Sequence, residues 1–319
     1  MSLKSVLRKV KDNPIGLYIW NEHRRIKGKS SKKKYSDFAF INKVYLRVTG
    51  RNINWNNPQR FTEKLQWLKL FYRNPDMPIV SDKVDVRAFL TQKGYGNLLN
   101  EVYGIFDDVD EINFAHLPER FVLKVASGSG WNLVCKNKKE ISWGLWKKII
   151  KSWQKQDLAW YGREWNYSGL KSRIIIEKYL EDESGELRDY KFFAFNGKVE
   201  YVRVDLGRFT THYQNYYDCE WNFKEFRTSY PNYMDEKIDK PKNFEEMLAI
   251  ANKLAEGFPH VRVDLYNVNG KIYFGELTFF VSSGFLSFYP DEYDFSWGKM
   301  LKLPEPNFNL ELLERIKND

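Results

Sequence analysis

The stretch that most constrains the fold runs from His260 to Phe285, HVRVDLYNVNGKIYFGELTFFVSSGF. In its first half Val261, Val263 and Leu265 alternate with Arg262 and Asp264. Its second half is β-rich, and Asn269-Gly270 between the halves is a strong hairpin signal. Register decides where the charges fall. A two-residue turn pairs Asp264 with Gly275 and sends Glu276 to the opposite face. A three-residue turn, with Gly270 left-handed as a bulge, pairs Arg262 with Glu276. Arg262, Asp264, Glu276 and Thr278 then share one face, because side chains repeat every two residues. The expectation is therefore a three-residue turn, or an equivalent bulge that restores the register. Two carboxylates and an arginine on one face suggest a cation and a phosphate. The alternative is a solvated face with one cross-strand ion pair.

With 319 residues the chain has room for one large domain or two modest ones. No apolar run approaches the ~20 residues that span a bilayer, and no apolar h-region follows the basic start. Cys135 and Cys219 stand far apart and flank no metal-ligand spacing, which fits a reducing cytoplasm; four isolated histidines offer no zinc set. The net charge of +9 is local: residues 1–34 hold eleven Lys or Arg against Asp12 and Glu22. That segment reads as a solvated arm, as a patch for anionic lipid or acidic polymer, or as a nucleic-acid contact. No nucleic-acid module follows, so the last is set aside. Aromatic residues make up 17% of the chain, a content found both in cores and in carbohydrate sites.

In chain order, Phe61, Leu65, Leu68 and Tyr72 are spaced for one buried helical face, closed by Pro75 and Pro78. Ile79-Val80 reads as a short strand, and Ser81-Asp82 as the cap of a helix that carries Lys83 and ends at Gly94. Arg120 to Val125 and Leu133 to Lys136 read as strands around the loop Ala126 to Asn132. Such a Gly/Ser loop after Lys124 is either a plain turn or a fold over phosphates that offers backbone N–H groups. Trp143, Trp146, Ile149, Ile150 and Trp153 mark a core-facing helix. Arg173 to Leu180 is a strand running into Glu177-Lys178. Asp189 to Phe195, with Asn196-Gly197, opens a hairpin in which Asp189 and Lys191 share a face. A turn spans Asp182 to Gly185, and residues 205–241 show no period, as in a long irregular insertion or a substrate-binding region. Asn243 and Glu246 form a capping box before a helix ended by Gly257. Pro290, Asp291 and Asp294 suggest loops, a short helix closes the chain, and no internal repeat is evident.

The segments FTEKLQWLK (Phe61–Lys69), SDK (Ser81–Lys83), FVLK (Phe121–Lys124), DYKF (Asp189–Phe192) and FGELTF (Phe274–Phe279) occur in an order that resembles the ATP-grasp superfamily, and within it the TupA-like branch of teichuronopeptide biosynthesis. The resemblance covers roughly residues 60–300. It implies an α+β, ATP-grasp fold in which two α+β subdomains grip ATP between antiparallel sheets, with a basic N-terminal extension. The implied divisions are a basic arm and helical lead-in at 1–60, a catalytic domain at 61–304 with a glycine-loop lid near 118–176, and a tail at 305–319.

The resemblance also implies residue roles. Lys83 and Lys124 contact ATP phosphates, and Ser127, Gly128, Ser129 and Gly130 close over them. Glu177, Lys178, Tyr179 and Leu180 hold adenine, and Glu181 or Asp189 the ribose. Asp264 and Glu276 bind Mg²⁺, two ions by family habit, while Arg262 and Lys191 serve the transferring phosphoryl group. Many ATP-grasp enzymes carry Asn where this chain has Thr278, so the second ion's ligand differs here. Ser282, Ser283, Gly284 and Arg203 fall to the substrate. The implied reaction joins a carboxylate to an amine through an acylphosphate: a uronic acid of a cell-surface polysaccharide, or its lipid-linked precursor, with an amino acid or other amine. The implied location is cytoplasmic and peripheral to the membrane's inner face, where residues 1–34 meet anionic lipid; nucleic acid is not a partner. A glycosyltransferase and a non-catalytic polymer-binding protein are the competing readings.

Overall fold

The computed structural model describes residues 13–183, 187–207, 211–235 and 237–318. The chain divides into two compact units, each drawn from two stretches: Met1–Ser36 with Pro78–Tyr179, and Asp37–Met77 with Leu180–Asp319.

In the first unit, β1 (Val102–Phe106), β2 (Phe121–Val125), β3 (Asn132–Cys135) and β4 (Ile174–Lys178) form an antiparallel sheet in the order β1-β4-β2-β3. Three β-branched residues, Ile174, Ile175 and Ile176, are fully buried in β4, as suits an interior strand. Burial alternates along β2, so Phe121, Leu123 and Val125 face the core and Lys124 does not. The helix Trp143–Gln154 lays Ile149, Ile150 and Trp153 on that core, while Trp143 and Trp146 pack at its margin.

Several expectations change here. Ile79-Val80 are not a strand but part of the short helix Asp76–Ser81; two β-branched residues cannot declare a period. Lys83 lies in the turn before the helix Asp85–Gln92, not on it. The cap position of that helix is Val84, which has no side-chain cap bond; Asp82, two residues earlier, accepts from the Val84 and Asp85 amides at 2.8 and 3.0 Å. The basic segment is not a solvated arm from Pro14 onward. It is a helix, Pro14–Lys34, begun by Asn13, whose Oδ1 accepts from Ile15 N at 2.9 Å. Residues 1–12 of the expected arm lie outside the described residues, as do Ser184 and Gly185 of the expected turn.

The second unit holds β5 (Asp189–Phe195), β6 (Lys198–Leu206), β7 (Tyr213–Tyr217), β8 (Phe223–Lys224), β9 (His260–Val268) and β10 (Lys271–Thr278), in the order β10-β9-β5-β6-β7-β8. Phe192 meets Phe244 of the helix Phe244–Ala255 on one face, and Phe193 meets Trp297 on the other, 4.8 Å between ring centroids. With both faces covered, β5 is buried at every position. The helix Phe61–Phe71 is buried nearly all round, and its Gln66 and Lys69 both donate to the Ser283 carbonyl, at 3.2 and 2.8 Å.

Residues 205–241 are not irregular throughout, since β7 and β8 extend the sheet. Polar Gln214 and Asn215 are buried beside Tyr216 and Tyr217, which hides any alternation. Asn243 makes no capping box: its Nδ2 donates to Gly270 O at 2.9 Å and its Oδ1 accepts from Asn267, so the amide is drawn to the hairpin turn instead. Asp294, expected in a loop, sits in the helix Glu292–Met300 and accepts from Thr62 N and Oγ1 at 2.9 and 2.8 Å.

The β9–β10 turn has two residues rather than three. Val268 pairs with Lys271, and Asn269 and Gly270 take φ of 51° and 86°, as a tight hairpin turn requires. The extra residue falls at Gly275 instead, because Phe274 pairs with Leu265 while Glu276 pairs with Asp264 and Thr278 with Arg262. A Cβ at Gly275 would lie 2.9 Å from the Asp264 carbonyl oxygen, so only glycine admits this approach. Glu276 therefore stands opposite Asp264, not Arg262, and the bulge returns it to the shared face. Among the described residues no helix is long and apolar enough to cross a membrane.

Candidate active site

The hairpin face carries a dense charge lattice in the second unit. Arg262 reaches Asp264 through Nε and an Nη at 2.6 and 2.7 Å; that Nη also meets Glu276 Oε1 at 2.9 Å and Thr278 Oγ1 at 3.0 Å. Strand β5 runs beside β9 with Lys191 opposite Asp264. Lys191 Nζ lies 2.5 Å from both Asp264 and Asp189, and 3.7 Å from Asp205. On the far side of β5, Lys191 pairs with Arg203 and Asp189 with Asp205. Arg203 binds Asp205 at 3.1 Å, and Asp205 also takes Gln214 Nε2 at 2.7 Å and His212 Nε2 at 3.1 Å.

The sequence places Arg262, Asp264, Glu276, Lys191, Asp189 and Arg203 as site residues, and the fold brings them onto adjacent strands. It did not point to Asp205, His212 or Gln214. A signal for Asp205 was present: Val-Arg-Val-Asp-Leu occurs at 202–206 and again at 261–265, a short repeat on the two strands that flank β5.

Four carboxylates (Asp189, Asp205, Asp264, Glu276) face three fixed cations (Lys191, Arg203, Arg262), and all but Glu276 are buried. Burial alone would lower the Arg262 guanidinium's pKa; Asp264, Glu276 and Asp189 outweigh it and hold it above its ordinary value. Burial is likewise the largest influence on Asp205, yet Arg203, His212 and Lys191 hold its carboxyl well below the usual range. Asp264 goes the other way. Burial, reinforced by Asp189 and Glu276, pushes its carboxyl up against the pull of Arg262 and Lys191.

The oxygen chemistry of Asp264 and Glu276 suits a hard divalent cation, but among the described residues no group of three or more His, Cys, Asp or Glu side chains is placed to hold one, and both carboxylates are paired with Arg262. Thr278 is already engaged: its hydroxyl accepts from Arg262 and donates to Glu276 at 2.9 Å. Ser282, Ser283 and Gly284 form a turn with φ of 50°, 55° and 67°, clamped through the Ser283 carbonyl by Gln66 and Lys69.

In the first unit, Lys124 Nζ lies 2.5 Å from Glu177 Oε2, and Arg87 approaches the same carboxylate at 3.4 Å. Lys83 Nζ donates to the Gly128 carbonyl. Within the glycine loop Ser127 is buried against Ser172 Oγ at 2.9 Å, and Gly128 is pressed on the buried Trp131 ring; Ser129 and Gly130 are exposed. Gly130 takes φ of 71°. Lys178 is exposed, its carbonyl accepting from Asn100 Nδ2 at 2.8 Å, and Arg120 covers the Tyr179 ring at 4.3 Å. Tyr179 ends the first unit; Leu180 and the exposed Glu181 begin a stretch of the second.

The profile of the TupA-like ATPgrasp family matches residues 63–302, which bears out the resemblance read from the motifs. No protein of curated function matches the chain in sequence. Among solved structures, D-alanine–D-alanine ligase from Helicobacter pylori is similar at 14% identity and a TM-score of 0.42, over 76% of this chain and 70% of that one. The corresponding ligase from Bacillus anthracis is similar at 14% and 0.40, over 75% and 69%. The ADP complex of PurK, an N5-carboxyaminoimidazole ribonucleotide synthetase, is similar at 13% and 0.39; the chain covers 45% of that protein's length. With three quarters of its residues inside the family profile, the chain belongs to the TupA-like ATP-grasp family and is an ATP-dependent ligase of α+β, ATP-grasp fold.

Proposed function

We propose that the protein joins a carboxylate to an amine through an acylphosphate, with a uronic acid of a cell-surface polysaccharide or its lipid-linked precursor as the acid and an amino acid as the amine. The observation that carries this reading is the lattice of Arg262, Asp264, Glu276 and Lys191 on one sheet face. A carboxylate does not yield to an amine directly, because its oxygen is a poor leaving group. In the proposed reaction a carboxylate oxygen attacks the γ-phosphorus, the bond to the β-phosphate breaks and ADP leaves. The amine nitrogen then attacks the carbonyl carbon, the C–O bond breaks, inorganic phosphate departs and the nitrogen loses a proton. No covalent protein nucleophile is needed; positioning and charge do the work.

Asp264 and Glu276 would hold Mg²⁺, which when bound neutralises phosphate charge. A second ion would draw on Glu276, on water or on the Thr278 hydroxyl, which here bonds Arg262 and Glu276. Arg262 and Lys191 stabilise the negative charge of the moving phosphoryl group. Lys124 and Lys83 meet the other phosphates as point charges, and the exposed Ser129-Gly130 tip offers its N–H groups from a lid within 118–176. The backbone at Glu177 to Leu180 receives the base. Glu181, exposed, suits the ribose better than Asp189, which is buried against Lys191. Arg203 and the Ser282 to Gly284 turn belong to the acceptor side. The protein's place is the inner face of an anionic membrane, as a peripheral enzyme.

The test is ADP and phosphate release from Mg-ATP across a matrix of uronate oligosaccharides and amino acids. ADP release that needs both partners supports the reading. Release of a nucleoside diphosphate from a sugar nucleotide would establish the glycosyltransferase instead, and no turnover with any pair would leave a polymer binder.

A further inference from the structure

The helix Pro14–Lys34 has two faces with different fates. One is anchored in the first unit. Asn21 and Gly28 are buried, a Cβ at Gly28 would come within 2.7 Å of the Tyr161 ring, and Leu17 and Tyr18 pack on the core. Ser152 Oγ donates to Glu22 at 2.6 Å, and the Arg24 guanidinium lies 4.2 Å from the Tyr161 ring centroid.

The other face holds Ile15, Ile19 and Ile26, exposed by 57, 62 and 62%. Spacings of four and seven residues put all three on one line along the helix. The line continues into exposed Lys29 and Lys33, with exposed Lys27 and Lys34 beside it. The helix carries a single acidic residue, Glu22, and that carboxylate is held by Arg25 at 2.7 Å and by Ser152. Among the described residues of the helix the outward face is therefore apolar along its first half and positive along its second, and Glu22, which falls between Ile19 and Ile26 on the same line, is neutralised by its bonds to Arg25 and Ser152.

Three large apolar side chains in one exposed line form a contiguous patch of the kind that marks an interaction surface. A nucleic-acid surface has no use for isoleucines beside its lysines. An anionic bilayer offers both chemistries at once: acyl boundary for the apolar line, phosphate headgroups for the lysines. We propose that the Pro14–Lys34 helix docks in the plane of an anionic lipid bilayer, with Ile15, Ile19 and Ile26 entering the acyl boundary and Lys27, Lys29, Lys33 and Lys34 on the headgroups. This deepens the peripheral location proposed above and is independent of the ligase chemistry.

The test is co-sedimentation of the full chain with vesicles of phosphatidylcholine alone or in equal parts with phosphatidylglycerol, at low and high salt. The wild-type protein binds the anionic vesicles, and salt weakens the binding. Replacing Ile15, Ile19 and Ile26 together by Ser lowers vesicle affinity ~tenfold or more while circular dichroism stays unchanged, because none of the three supports the core. Replacing Lys27, Lys29, Lys33 and Lys34 by Gln costs about fivefold per lysine at low salt. Equal binding to both vesicle types overturns the proposal, as does wild-type affinity in the triple Ser variant. So does a dimer in lipid-free buffer that the triple Ser variant disperses, since a second copy would then be the occupant. Nucleotide hydrolysis measured without lipid is unchanged in both variants, so failure here leaves the ligase reading intact, and loss of that reading leaves the vesicle result standing.

Discussion

Lys191 is the cation whose loss should tell most about the lattice. Its side chain is 7% exposed, and its Nζ lies 2.5 Å from Asp189 and Asp264, themselves 2 and 3% exposed. Lys191→Met keeps the length of the side chain and removes the charge. Four carboxylates then face two fixed cations where three had been too few. Breaking a buried pair by deleting one partner costs about 3–5 kcal/mol, because the remaining charge stays buried and poorly paired. The variant should lose roughly that much at neutral pH, read from urea unfolding followed by tryptophan fluorescence; Trp297 reports from the same sheet face. The pH dependence has a definite sign. Stranded carboxylates bind protons more tightly in the folded than in the unfolded state, so the deficit narrows as pH falls below neutral. Asp189→Asn added to Lys191→Met should restore much of the loss. A Lys191→Met protein within about 1 kcal/mol of wild type at neutral pH would refute the picture of a charge lattice short of cations.

Other consequences are direct. Lys124→Ala leaves Glu177 with Arg87 as its remaining partner at 3.4 Å and should weaken ATP binding about tenfold by calorimetry, with unfolding little changed. Gly128→Ala would set a Cβ 1.9 Å from a carbon of the buried Trp131 ring, so it should destabilise by ~1–3 kcal/mol and lower ATP affinity. Gly130→Ala, strained by its φ of 71° but in open space, should cost only about 1 kcal/mol in the same unfolding assay. His260 is neutral in the fold: burial, with Arg262 nearby, pushes its pKa down to about 3 from 6.5. Its folded pKa lies below its unfolded one, so stability is full above about 6.5 and declines as pH falls toward 3. The slope approaches ~1.4 kcal/mol per pH unit, and His260→Gln should flatten it in acid titrations.

The parts legible in the sequence were those with a local period or a chemically unusual spacing. The β9–β10 hairpin announced itself through Asn269-Gly270, and its charged face followed from the pleat. The means was misjudged, since a turn expected to hold three residues holds two and the bulge moved to Gly275. Nothing local marks Gly275 as the bulge: it is a glycine because the Asp264 carbonyl crowds it from the next strand. Strand β7 escaped for a related reason, as burial of both faces puts Gln214 and Asn215 among tyrosines and erases alternation. Asn243 has the chemistry of a cap and spends it on the Gly270 carbonyl, a partner distant in sequence. The isoleucine line of the Pro14–Lys34 helix was invisible beside Leu17 and Tyr18, because only packing tells which apolar side chains are covered. His212 offered no signal of its own, and its contact with Asp205 exists only once β6 and β7 are paired.

In the proposed reaction the Arg262–Asp264–Glu276 face activates a carboxylate as its acylphosphate. The most direct measurement starts from an acid labelled with ¹⁸O in its carboxylate and follows the inorganic phosphate by ³¹P NMR. An acylphosphate path carries one labelled oxygen into the released phosphate, because the amine breaks the C–O bond, and Asp264→Asn abolishes the transfer. Unlabelled phosphate, or the label in AMP, would contradict the account.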